Sequence, residues 1–229
     1  MVHSTSLRDT AVASHTGTDR VLWLVRHGES TWNARGLAQG HDDQARLTSR
    51  GLHQARAVAV HLRARPIRAL YSSDLRRALQ TAAPLASALG LTVTRDARLR
   101  ERCLGVLEGT AAASISPAVS GVSDGRVADP DARPVGGESL RDFYRRVAEF
   151  TDELTALRAT GGADPAADPG WAGDVAVVAH GGTLRMMSAY QRGVPVEQMT
   201  WEPLANASIV RSPTGWPPHS QDNRREENR

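Results

Sequence analysis

The sequence predicts an α/β fold, a three-layer α/β/α sandwich with a mostly parallel central sheet and a loop-rich lid. Three observations lead there. Short apolar runs alternate along the chain with longer segments whose apolar residues recur at helical spacing. Two of those runs, 21–25 and 175–179, stop abruptly at His27-Gly28 and at His180-Gly181. With 229 residues, 40% of them hydrophobic, the chain suffices for one sizeable domain with an inserted lobe.

Taken in order, residues 1–20 are rich in Ser, Thr and Asp, show no periodicity and are expected to form a disordered leader, with His3 and His15 incidental. The run 21–25 reads as a buried strand. Residues 28–46 are expected to form a loop lined with hydrogen-bonding groups. Thr48 is a plausible N-cap for a helix whose buried face would carry Leu52, Ala55, Val58, Ala59 and Leu62, with His53 and His61 towards solvent. Pro66 ends that helix, and 67–72 reads as a second strand. Ser73-Asp74 then caps a helix over 75–89, kinked at Pro84 and stopped by Gly90. A third, short strand follows at 91–94.

Residues 98–109 form a polar turn. Residues 110–137 are Ala-, Ser-, Pro-, Gly- and Asp-rich, and with the preceding turn they make a loop-rich lid over about 105–137, partly ordered at best. Ser139 opens the clearest helix, with Leu140, Phe143, Tyr144, Val147, Phe150, Leu154 and Leu157 on one stripe. A Pro/Gly/Asp linker at 161–173 leads to the strand 175–179, a helix over 183–191 and a last strand at 207–211. The domain thus spans 21–211, and 212–229 reads as a disordered tail.

Composition narrows the function. The formal net charge is +3, the chain contains no lysine, and no basic block of the nucleic-acid-binding kind occurs. Cys103 is the single cysteine, so no internal disulfide and no thiolate zinc site can form. No stretch approaches membrane-spanning length, and residues 1–20 lack an apolar signal core. The expectation is a soluble, cytoplasmic protein with no nucleic-acid or membrane partner. Val194-Pro195-Val196, Met199 and Trp201 form either a homodimer edge or the closure of the core, and closure of the core is the preferred reading.

Ligands of open α/β sheets sit at the carboxyl ends of strands. Three such points converge here: Arg26 and His27 after the first strand, an arginine in the first turn after the second, and His180 after the last parallel strand. Two arginines and two histidines around one point make an anion pocket, to which the backbone N–H groups of Gly28 or Gly181 would add donors. A dianionic phosphoryl group matches the guanidinium fork. A neutral imidazole is a competent nucleophile towards phosphorus, and a second imidazole with two arginines would stabilise the equatorial oxygens in flight. The remaining need is a proton donor for the leaving alkoxide, for which Glu101 fits by type and location. Of the adjacent Arg76 and Arg77 only one can point inward, and Glu108 ranks behind Glu101.

Leu24-Val25-Arg26-His27-Gly28-Glu29-Ser30-Thr31-Trp32-Asn33, continuing through Gln39-Gly40, Ser72-Ser73-Asp74-Leu75-Arg76-Arg77-Ala78, Leu99-Arg100-Glu101, Gly136-Gly137-Glu138-Ser139 and Val178-Ala179-His180-Gly181-Gly182, resembles the histidine phosphatase superfamily, the phosphoglycerate mutase-like proteins. The resemblance spans roughly 21–211. It implies a phosphorylated His27, a phosphoryl group held by Arg26, Arg77 and His180, a proton donor in Glu101, a substrate pocket lined by Asn33, Gln39 and Gly40, and no metal or other cofactor. It places Arg77 in the inward slot and Arg76 at the surface. Glu138 is expected to fix the start of the long helix, and Cys103 to be packing.

Cofactor-dependent mutases of this kind carry a longer insertion with more cations, whereas 110–137 holds only Arg126 and Arg133. The expectation is therefore hydrolysis of a small-molecule phosphate ester, such as a sugar, glycerate or specialised metabolite phosphate. A mutase-like phosphotransferase and a low-turnover phosphate-binding interaction module are the alternatives. Leu107, Ile115, Val119 and Val122 point to a partly apolar lid.

Overall fold

The computed structural model describes residues 21–159 and 173–212. Its elements run β1 (Leu22–Arg26), α1 (Thr31–Ala34), α2 (Ser49–Leu62), β2 (Ile67–Ser72), α3 (Arg76–Leu89), β3 (Val93–Arg95), α4 (Pro117–Ser120), β4 (Val122–Ser123), β5 (Arg126–Val127), α5 (Leu140–Ala159), β6 (Asp174–Ala179), α6 (Gly181–Gln191) and β7 (Ile209–Ser212). The expected leader, most of the linker and most of the tail lie outside the described residues. No helix among the described residues is long and apolar enough to cross a membrane.

The central sheet has the order β3-β2-β6-β1-β7, parallel except for β7, which pairs antiparallel with β1 at the edge. Every residue of β6 is buried, as a strand covered on both faces requires. Alternation along β1 divides the core. Leu22 and Leu24 face Phe143, Val147, Phe150 and Leu154 of α5 and Leu184 and Met187 of α6. Trp23 and Val25 face Val58 and Leu62 of α2 and Ala78, Ala82 and Leu85 of α3. Val196 and Met199 are buried in the α5–α6 layer and Trp201 packs against it, so this apolar segment closes the core.

Local chemistry explains the helix ends. The Thr48 hydroxyl accepts from Gly51 N–H and caps α2. Ser139 caps α5, accepting from Asp142 N–H while donating to the Asp142 carboxylate. Gly90 ends α3 at φ 66°, a left-handed conformation that costs a residue with Cβ but not glycine. The expected loop 28–46 contains one turn of helix, α1, closed by a reciprocal Ser30–Asn33 capping box.

Several expectations need correction. Leu52 is 39% exposed. Gly51 takes the buried position instead, because a Cβ there would strike the Glu29 carbonyl, and the buried stripe of α2 becomes 51, 55, 58, 59 and 62. Ser73 and Asp74 do not cap α3, whose cap position is Leu75; the N–H of Arg76 is instead taken by Asp43 from a different loop. The lid is ordered around one buried cation. Arg102, 5% exposed, donates to the backbone carbonyls of Ser120, Ala132 and Glu138, which ties the middle and the end of the lid to one guanidinium just before its start. Val122 turns towards the core rather than the site.

Asp174, 5% exposed, accepts from Val21 N–H and from Trp23 Nε1–H, both at 2.8 Å, and so joins the start of β6 to β1. Asp174→Asn keeps the shape but replaces one acceptor with a donor facing an N–H. The expected loss is about 1–3 kcal/mol, read as a lower urea midpoint at unchanged m-value. A midpoint equal to that of the wild type would show that the carboxylate contributes nothing to the junction.

Candidate active site

Strand register builds the site. Arg26 of β1 lies opposite Ala179 of β6, and Ser72 of β2 lies opposite Val178. The next residue of each strand therefore emerges at one carboxyl edge: His27, His180 and Ser73. The backbone continues the ladder there, with His27 N–H donating to Ala179 O and Ser73 N–H to Val178 O. The two imidazole rings sit 5.1 Å apart, edge to face at 61°, and are only 3% and 1% exposed.

His27 Nδ1 lies 2.7 Å from the Gly28 carbonyl oxygen. A carbonyl only accepts, so the ring carries its proton on Nδ1 and presents a lone pair at Nε2. Burial, reinforced by the charges of Arg77 and then Arg26, holds the His27 pKa well below the ordinary histidine value. His180 is depressed in the same way, by burial first and by Arg77 next. Its Nε2 meets Ser73 Oγ at 2.9 Å, while its Nδ1 is buried without a partner among the described residues.

Arg77 has no exposed surface. Its Nη1 and Nη2 donate to the carbonyls of Asp42 and Gly40, each at 2.8 Å, and its Nε is buried without a partner among the described residues. Desolvation brings its pKa down to about 10 against the pull of Glu101, Asp43 and Asp42. Arg26 repeats the pattern: Nη1 donates to the Leu204 carbonyl and Nε is buried and unpartnered. Arg76 is exposed, as expected. Arg26, Arg77 and His180 thus each carry a buried nitrogen with no partner among the described residues; the His180 ring packs on that of His27 and both guanidinium charges act on it, and buried polar groups in folded proteins are rarely left in that state.

Glu101 reaches the same place from the turn after β3. Its Oε2 accepts from Gly182 N–H and its Oε1 from Arg102 N–H, both at 2.9 Å. Arg146 of α5 holds the turn by donating to the carbonyls of Arg98, Arg100 and Glu101. The same guanidinium forms a bidentate pair with Glu138, whose carboxylate also accepts from Cys103 N–H. Glu138 therefore fastens the Glu101 turn to α5 rather than fixing the helix start, which Ser139 does. Glu108 accepts from the N–H groups of His41 and Leu104 and is structural.

The predicted pocket residues divide. Gly40 serves through its carbonyl, which holds Arg77. Asn33 and Gln39 are both tied to Ser30 through their side-chain oxygens, leaving their amide nitrogens without a partner among the described residues. Gly28 N–H donates to Thr81 Oγ1 and is not an open donor, whereas Gly181 N–H, first in α6, has no partner among the described residues. Sequence reasoning missed Asn206, which donates to His27 O and Asn33 Oδ1. It also missed the contact of Ser73 with His180, and Arg185, which lies one helical turn beyond Gly181 on the same face of α6 and could have been found from that spacing.

The profile of the histidine phosphatase superfamily (branch 1) matches residues 22–213. A probable phosphoglycerate mutase, GpmB, of Yersinia pestis (strain Pestoides F) is 34% identical over 198 residues, 83% of each chain. A mycobacterial glucosyl-3-phosphoglycerate phosphatase, solved in complex with VO3, is 36% identical with a TM-score of 0.69 over 84% of this chain and 90% of that one. A structure titled mycobacterial hydrolase 1 is 36% identical with a TM-score of 0.71 over 88% and 92%.

Two predictions follow from the geometry. A Cβ on Gly182 would collide with Glu101 Oε1. Gly182→Ala should displace the carboxylate and lower kcat by about 10²-fold, while far-UV circular dichroism stays native; unchanged kcat would remove Glu101 from the reacting centre. The second concerns pH. The folded protein keeps His27 and His180 neutral where the unfolded chain, with histidine near 6.5, takes up protons. Their contribution is complete above that pH and is lost as pH falls below it, by up to about 2.7 kcal/mol per pH unit for the pair. Urea midpoints at pH 7.5 and 5.5 should separate in wild type and draw together in the His27→Gln/His180→Gln double variant; equal separation in both would contradict this.

Proposed function

The chain belongs to the histidine phosphatase superfamily, and from that premise we propose that it hydrolyses a small-molecule phosphate monoester through a phosphohistidine on His27, without a metal. The observation that carries this reading is the set of unpartnered buried nitrogens on Arg26, Arg77 and His180 around an imidazole whose Nε2 lone pair is free. A phosphoryl dianion supplies the missing acceptors. With the Ser73 hydroxyl donating to His180 Nε2, His180 Nδ1–H becomes a third donor to the equatorial oxygens.

The chemistry runs in two balanced steps. His27 Nε2 attacks phosphorus in line with the ester oxygen; the P–N bond forms as the P–O bond breaks, and Glu101 delivers its proton to the departing alkoxide. Glu101, now a carboxylate, takes a proton from water as that water attacks phosphorus. The P–N bond breaks, phosphate leaves, and both residues return to their starting states. Buried guanidinium groups stabilise the transferring group most where water is excluded.

The similarity to GpmB keeps a mutase as the second reading. The lid favours hydrolysis over phosphoryl shuttling. Of its two arginines, Arg133 is paired with Asp142 and Arg126 lies on the exposed β4–β5 hairpin, so a second phosphate would lack partners. Sugar and glycerate phosphates, with glucosyl-3-phosphoglycerate among them by similarity to its phosphatase, form the first panel.

Phosphate release from that panel and from p-nitrophenyl phosphate, measured in chelator, should fall by about 10³-fold or more in His27→Ala. An acid-labile phosphoenzyme should disappear in parallel. Activity that needs a divalent metal, or that survives the substitution, would sink the hydrolase reading; exchange of 2- and 3-phosphoglycerate faster than phosphate release would favour the mutase.

A further inference from the structure

β7 alone in the central sheet runs antiparallel, and the chain that enters it passes along the site. The last ladder pair of β1 and β7 is Val25 with Ile209. Backbone pairing nevertheless continues: Arg26 N–H donates to Ser208 O at 3.0 Å and Ala207 N–H to His27 O at 3.1 Å. Arg26 Nη1 reaches the Leu204 carbonyl as well. Residues 204–208 therefore hold the backbone of both Arg26 and His27. They do so through a turn in which Ser208 N–H donates to Ala205 O at 3.2 Å and Ala207 sits at φ 58°. Among the described residues only Asp124 and Ala207 hold a positive φ without being glycine. Backbone strain of this kind persists where the surroundings dictate it, and it collects at functional sites.

The side chain this turn presents is Asn206. Its amide nitrogen has two protons, and both are placed: one goes to His27 O at 3.2 Å, the other to Asn33 Oδ1 at 3.0 Å. Asn33 Oδ1 accepts from Ser30 N–H too, at 3.2 Å. An amide oxygen has two lone pairs, and these two donors fill them. The single Ser30 hydroxyl proton has the shorter path to Gln39 Oε1, 2.8 Å against 3.1 Å to Asn33 Oδ1. With its oxygen so occupied, the Asn33 amide is not free to turn over, and its Nδ2 stays an open donor. Asn206 thereby ties the carbonyl of the nucleophile's own residue to an amide on α1.

We propose that Asn206 is a positioning residue that fixes the Asn33 amide against the His27 backbone, so that Asn33 Nδ2 meets the phosphoryl group as a fourth donor beside Arg26, Arg77 and His180. Asn206 touches neither substrate nor reacting atoms and acts through Asn33. The proposal rests on the phosphatase reading, which puts the phosphoryl group at His27.

A double-mutant cycle on the binding of inorganic phosphate tests it, because calorimetry reads Kd without turnover. Asn206→Ala should weaken phosphate about tenfold, and Asn33→Ala by at least as much. In the Asn33→Ala background the same Asn206→Ala change should cost no more than about twofold. A coupling below about fivefold, either because the loss persists without Asn33 or because no loss occurs, would overturn the assignment and leave Asn206 as the closure of the turn before β7. Urea midpoints record the lost hydrogen bonds separately from the Kd ratio. Proton exchange in the unaltered protein gives a second test that needs no variant to fold. By NMR, both Asn206 side-chain protons should be protected without phosphate, whereas those of Asn33 should shift and become protected only as phosphate saturates. An Asn33 amide indifferent to phosphate would overturn the proposal. Failure of the phosphatase reading looks different: p-nitrophenyl phosphate hydrolysis is absent or survives His27→Ala, while the coupling between Asn206 and Asn33 persists.

Discussion

Arg77 carries its charge with no exposed surface and no carboxylate hydrogen-bonded to it. Burying a cation in that way is costly unless its donors are met. Among the described residues only the Gly40 and Asp42 carbonyls meet them, and Nε has no partner. Much of the surrounding structure answers this constraint. The 28–46 loop must bring two carbonyls to the guanidinium, so it is stitched by the Ser30–Asn33 box, by Gln39 and by Glu108. Burial, reinforced by that charge, in turn keeps both imidazoles neutral, which preserves the lone pair that the proposed covalent chemistry at His27 requires. In the proposed reaction, the part of the cost that folding does not offset would be available to a phosphoryl dianion on binding, a form of preorganisation.

Around that centre the molecule separates rigid supply from adjustable reach. Three parallel strands with β6 in the middle deliver His27, His180 and Ser73 by register alone, so their positions follow from the sheet. Glu101 comes from irregular chain and needs its own scaffold. The Arg146–Glu138 pair and the three carbonyls that Arg146 binds provide it, while Arg102 beside it fastens the lid. His41 joins the two halves: its N–H is held by Glu108, and its ring, lowered in pKa chiefly by burial, lies 3.8 Å from the Glu138 carboxylate. The Glu101 side of the site and the side that holds Arg77 are thereby linked through the Gly40–Asp42 segment.

Much of this was legible in the sequence. Apolar runs ending in His-Gly marked the strand ends, periodicity marked α2 and α5, Gly90 marked the end of α3, and strand 67–72 agrees with β2 residue for residue. Arg77 is buried and Arg76 exposed, and Glu101 rather than Glu108 meets the start of α6. What escaped was contact across the chain. Nothing local says that Ser73 faces His180 rather than capping a helix, that Asp43 supplies the missing cap, or that Asn206 closes over His27 and Asn33. Leu52 was misplaced because a helical stripe is set by what it packs on, and Gly51 allows an approach that a larger side chain forbids. The lid looked unstructured because its order resides in the Arg102 guanidinium and in backbone contacts with residues 36–38 and 199–201, and not in its own periodicity.

The central claim is that His27 is poised as a neutral nucleophile with its proton on Nδ1. Nitrogen-15 NMR of the histidine rings reads this directly. The account predicts that His27 shows a protonated Nδ1 and a bare Nε2 at pH 7, stays so well below pH 6.5, and changes its Nε2 resonance when inorganic phosphate binds. A doubly protonated ring at pH 7, or a proton on Nε2, would contradict it.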